Sequence, residues 1–197
     1  MFLAATSLTR IGVEACVDFL EAVSKRLETV WLPLPEEVCR GEPADLGPLE
    51  KYLEPLVALY HEVDADWRCY GTAADLRRRE LVAVRLAALV VKARVYGKID
   101  VEEWGQHFTP SVEKPPRPAL AIGAVAREDG VVCGTYPPNP IELAHEVWHR
   151  LHPEKKTELA KWIVEYVSAI IESVNLDEAY FKLMKRGWAE AYVNYIS

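Results

Sequence analysis

Residues 145 to 149 read His-Glu-Val-Trp-His and another histidine follows at 152, so three of the five histidines fall within eight positions. Successive residues of a helix turn by about 100°, which sets His145 and His149 within about 40° of each other and one turn apart. Two imidazoles so placed reach one ion at zinc-ligand distances of about 2.0–2.1 Å. Glu146 stands about 100° round from His145, beside the ion, where a carboxylate takes the proton of a metal-bound water. The chemistry this spacing offers is hydrolysis by a metal-activated water.

The HExxH pentapeptide resembles the shared signature of the zincin metallopeptidases, with the pattern of their gluzincin branch. The segment "ELAHEVWHRLHP" resembles, over about a dozen residues, the motif helix of the ImmA/IrrE group of small regulatory metallopeptidases. The resemblance implies one zinc ion per chain on His145 and His149, a general base at Glu146, and a peptide or protein substrate laid along an edge strand. Residue type alone does not separate zinc from other metals that bind imidazole.

A catalytic zinc site takes three protein ligands and leaves one position open. His152 lies about 10 Å along the axis from His145 and no later histidine exists, so the third ligand is expected to be a carboxylate. If the motif helix and the next one form an antiparallel hairpin, Glu165 falls at the level of the two histidines. Glu158 is nearer the turn, Glu172 about 10 Å further on, and Glu178 matches the glutamate of the ImmA/IrrE last segment. Glu165 is the expected ligand, although Glu158, Glu165 and Glu172 recur every seven residues as a solvated face does. Tyr136, Tyr166, Tyr192, Tyr195 and His107 are candidates for polarising a scissile carbonyl, with none singled out.

These residues need a scaffold. Asn139 and Pro140 suit the cap and first turn of a helix that stops before Pro153. Another helix is expected from about Glu154 to Val174, and a last one after Asn175, whose spacing from Glu178 is a capping signal. Upstream, "ALAIGAVAREDGVVCGTYPP" offers two β-prone runs, 119 to 126 and 131 to 136, around the turn signal "REDG", an antiparallel hairpin. Before Gly97 the apolar spacing reads as helices over 7 to 31, 49 to 67 and 76 to 96, with Pro33 and Pro35 ending the first. The expected fold is therefore α+β and mostly helical. A helical lobe over 1–100 precedes a zincin-like metal-binding region over 101–197, in one compact unit.

Half of the 197 residues are apolar and 27% are charged, as in an ordinary globular protein. A net charge of −7 argues against a nucleic-acid partner. No apolar run reaches membrane-spanning length, and Arg85 interrupts the nearest one. The opening lacks the basic region of a secretory signal, so a cytoplasmic location is expected. Cys16, Cys39, Cys69 and Cys133 are spaced for neither CxxC nor Cys-His ligation and read as buried thiols. A single glutamine and three asparagines fit a thermophilic source, where an intracellular disulfide is admissible. Oligomeric state is not legible. The alternative to a zinc peptidase is a non-enzymatic helical interaction or assembly module, of viral or mobile-element type, with a structural or vestigial HExxH.

Overall fold

A computed structural model of the chain describes residues 3–71, 73–108, 116–122 and 130–196. Along the chain run β1 (Leu3–Thr6), α1 (Arg10–Ser24), β2 (Val30–Pro35), α2 (Glu36–Cys39), α3 (Glu50–Glu62), β3 (Trp67–Gly71), α4 (Ala73–Tyr96) and α5 (Val101–Gly105). Then come β4 (Ala119–Ile122), β5 (Gly130–Val132), α6 (Pro140–Val147), α7 (Pro153–Ile171), α8 (Leu176–Lys185) and α9 (Trp188–Ile196). The chain forms two compact units, each from two stretches: Met1–Arg78 with Glu113–Pro138, and Arg79–Val112 with Asn139–Ser197.

The first unit is α/β and Rossmann-like. Its described strands form one five-stranded sheet in the order β3-β2-β4-β1-β5, and every pairing is parallel. The expected antiparallel hairpin and all-helical first hundred residues are thereby overturned. β4 and β5 both run parallel to β1 and flank it on opposite sides, in register at Leu3↔Ala119 and Leu3↔Gly130. Residues 127 to 129 of the "REDG" signal lie outside the described residues. The expected helical spacing over 7 to 31 is also cut short: α1 ends at Ser24, and Val30 already belongs to β2.

The physical reason is burial on both faces. A strand inside a parallel sheet has no polar side to alternate with its apolar one. β1 (LAAT) and β4 (ALAI) are buried at every position, so neither carries the period-2 signature. β2 holds two prolines, and its register with β3 shifts between Leu32 and Pro35. Such an irregularity lets proline sit in a strand paired on both sides. Leu20 and Val13 of α1 and Leu53 and Leu56 of α3 pack on Ala4, Leu32, Leu34 and Leu120. Leu3, Ala119 and Ala121 look the other way, towards Trp31 and Tyr70.

The cysteines expected as buried thiols are paired, the disulfide alternative that the amide-poor composition left open. Cys16–Cys133 ties α1 to the turn after β5, and Cys39–Cys69 ties α2 to β3. The second unit is helical, with Trp104, Phe108, Trp148, Tyr180 and Trp188 buried within it. Gly187, at φ 94°, breaks the expected last helix into α8 and α9. No described helix is long and apolar enough to cross a membrane.

Candidate functional site

The HExxH segment starts as its sequence predicts. Asn139 Oδ1 accepts from the backbone N–H groups of Ile141 and Glu142, and Glu142 Oε2 accepts from the N–H of Asn139 at 2.8 Å, a complete capping box. The helix does not carry through the motif. α6 ends at Val147, and Trp148–Arg150 tighten into a 3₁₀ turn before Pro153 opens α7. A 3₁₀ turn has three residues per turn rather than 3.6, so His145 and His149 do not stand on one continuous α-helix.

Both histidines instead pack around Phe108, which is fully buried. The His145 ring meets the Phe108 ring edge-on, centroids 5.4 Å apart. His149 Nε2–H donates to the Phe108 carbonyl oxygen. A carbonyl only accepts, so the proton sits on Nε2 and Nδ1 is the one ring nitrogen left for ligation. Trp148 completes the cluster, 4.8 Å from Phe108. Gly105 gives it room, since a Cβ there would stand 2.8 Å from Trp148 Nε1. His149 also opens on a shallow cleft of about 440 Å³, with Glu102, Gln106, Trp148, Pro153 and Lys156. Glu146 is half-buried and does not line that cleft.

The proposed carboxylate ligands are engaged elsewhere. Glu165 is exposed and paired with Arg186. Glu158 pairs with Lys155 at 2.9 Å. Glu178 accepts from the Val174 N–H at 2.9 Å and pairs with Lys182; the Val174 bond, then Lys182, holds its carboxyl below the usual range. Glu172 is exposed at the end of α7. Among the described residues no three His, Cys, Asp or Glu side chains converge to hold one ion, so this donor set does not fit a catalytic zinc. Of the candidate tyrosines, Tyr166, Tyr192 and Tyr195 are buried. Burial, then the charge of Glu158, raises the Tyr195 phenol well above its usual value and keeps it protonated.

The fold brings a different set of polar residues together. β1 and β4 are neighbours, yet the chain leaves β1 for β2 and leaves β4 for β5, in opposite directions along the sheet. In open α/β sheets such a reversal at the carboxyl ends of adjacent strands is where ligands bind. At the carboxyl end of β1 the chain reads Thr6-Ser7-Leu8-Thr9, with Thr6, Ser7 and Thr9 fully buried. Thr9 caps α1, its Oγ1 accepting from the Gly12 N–H at 3.1 Å. The Ser7 N–H donates to the Tyr136 carbonyl at 3.2 Å, joining this turn to the one after β5, which the Cys16–Cys133 bridge also ties down.

Thr6 Oγ1 is buried without a hydrogen-bond partner. It points at the first turn of α1, where a Cβ added to Gly12 would stand 2.4 Å away. No acidic residue occupies that turn; Arg10 does, exposed and paired with Glu14. This site was within reach of the sequence, as three hydroxyl residues in four between an apolar run and an amphipathic helix.

No family model, curated protein or solved structure matches this chain.

Proposed function

We propose that the protein is a binding protein for a small ligand carrying a phosphate or carboxylate, held at the carboxyl end of β1 against the first turn of α1. The observation that carries this reading is the buried, unpartnered hydroxyl of Thr6 at the start of a 15-residue helix. A helix N-terminus carries a partial positive charge and favours anions. A buried hydroxyl without a partner costs about 1–3 kcal/mol, and an anionic oxygen accepting its proton removes that cost. Gly12 lets the helix approach, and the Cys16–Cys133 bridge holds the turn in place before any ligand arrives.

The test is differential scanning fluorimetry with inorganic phosphate, adenosine monophosphate and succinate, on the natural chain and on Thr6→Val. A saturable rise in melting temperature with one probe, lost in Thr6→Val, supports the reading. Equal shifts in both proteins, or none at millimolar probe, sink it.

The zinc hydrolase reading rests on His145, Glu146 and His149, with no third ligand among the described residues. Elemental analysis decides it: about one zinc per chain, lost in His145→Ala, would restore it over the anion-binding reading. The two disulfides suit either an oxidising compartment or the cytoplasm of a heat-adapted cell, and a cytoplasmic location goes with the second.

A further inference from the structure

The described side chains of α4 present two apolar faces. Leu86, Leu89, Val90 and Ala93 are buried. On the opposite side Val84, Val91 and Val95 are 69%, 58% and 66% exposed, and Ala88 is exposed between them. Their spacing, 84, 88, 91, 95, alternates four and three residues, the a/d seam of a coiled coil. With Ala88 at a and Val91 at d, Arg85 and Lys92 fall at e and Arg94 at g, all exposed. Lys92 already pairs with Glu103 at 2.6 Å, so the charge preference of the seam rests chiefly on Arg85 and Arg94. No acidic residue occurs from 84 to 96, in a chain whose net charge is −7.

We infer that this face of α4 docks one amphipathic helix of a partner protein, with apolar residues at a and d and Asp or Glu at e and g. Charge complementarity selects that occupant. Residues at e and g set partner choice, and like charges across the seam oppose pairing. A second copy laid on the seam would bring Arg85 and Arg94 against the same basic residues; an acidic helix pairs with them. Val84 to Val95 spans about 16 Å, at 1.5 Å per residue. Such a short contact suits a reversible partner. None of its residues belongs to the ligand site at β1.

The experiment uses the full chain and two fluorescein-labelled synthetic peptides of three heptads, both with Leu at a and d, one with Glu and one with Lys at e and g. Fluorescence anisotropy should show saturable binding of the Glu peptide alone. Val91→Ser should weaken it at least about tenfold, a loss of about 1.4 kcal/mol. The double variant Arg85→Glu, Arg94→Glu should reverse the preference towards the Lys peptide. Circular dichroism melts of these surface variants, unchanged from the natural chain, keep unfolding out of the comparison. No binding of either peptide at about 100 μM, a value chosen well above typical reversible affinities, would overturn the proposal. So would equal binding of both, or a stable dimer in sedimentation that Val91→Ser dissociates.

Discussion

At the scale of single residues, Thr6 separates a binding role from a packing role because one substitution moves two quantities in opposite directions. Thr6→Val keeps the shape and removes the unpartnered hydroxyl. The ligand-free protein should be more stable by about 1 kcal/mol, the low end of the cost of the unpartnered hydroxyl, or about 2–4 °C in melting temperature for a chain of this size. A clear loss of stability would mean that the hydroxyl has a partner in solution. Glu178 gives a pH prediction. Its folded carboxyl sits below the usual range because of the Val174 N–H and Lys182, so its contribution is present above the unfolded value and fades as pH falls through the lowered one. The melting temperature of Glu178→Gln should converge on that of the natural chain in acid and lie below it at neutral pH. Parallel curves would remove the carboxylate from the account. The same scale shows which part of the motif reading the backbone changes. His145, Glu146 and His149 have the right identities, but the alignment of the histidines assumed a continuous helix, and Pro153 follows closely enough that the chain tightens at Trp148 instead.

At the scale of elements, helices were far more legible than strands. Gly97 at the end of α4, the Asn139 cap with Pro140, and the Asn175 cap with Glu178 are local signals, and each stands where the sequence put it. Asn139→Ala should therefore cost about 1 kcal/mol in a thermal melt, whereas Asn139→Asp, which keeps a capping oxygen, should lose little. An unchanged melt for Asn139→Ala would mean that the capping box is redundant. The β-prone runs at 119 to 126 and 131 to 136 do hold β4 and most of β5, but nothing local gave the direction of their pairing, and β1 and β2 carried no such signal. β1 and β4 have four residues each, alanine-rich and buried at every position, and they pair with each other across more than a hundred residues of chain. Only the pairing itself distinguishes LAAT from part of a helix and makes ALAI a parallel strand rather than one arm of a hairpin. The run of hydroxyl residues at Thr6, Ser7 and Thr9 was visible in the sequence, but Thr6 gains meaning only once β1 is known to end there.

At the scale of the whole molecule, the disulfides tie distant parts of the first unit. Cys16 and Cys133 are separated by 117 residues and Cys39 and Cys69 by 30. Chain entropy allows at most roughly 5 and 4 kcal/mol respectively. Reduction under native conditions, followed by thiol titration, should lower the melting temperature, and Cys16→Ala with Cys133→Ala should account for the larger share. A melt indifferent to verified reduction would remove both bridges from the stability of the fold. The order of the sheet also bears on how the protein is made. β4, a central strand, is encoded after α5, while its neighbours β1 and β2 come from the first 35 residues. A nascent chain that has released its first hundred residues holds both neighbours with the slot between them empty. Those two strands then wait with open hydrogen-bonding edges, a state prone to aggregation. The sheet closes only after β4 has emerged, and chaperones that shield strand edges should govern the yield of soluble protein.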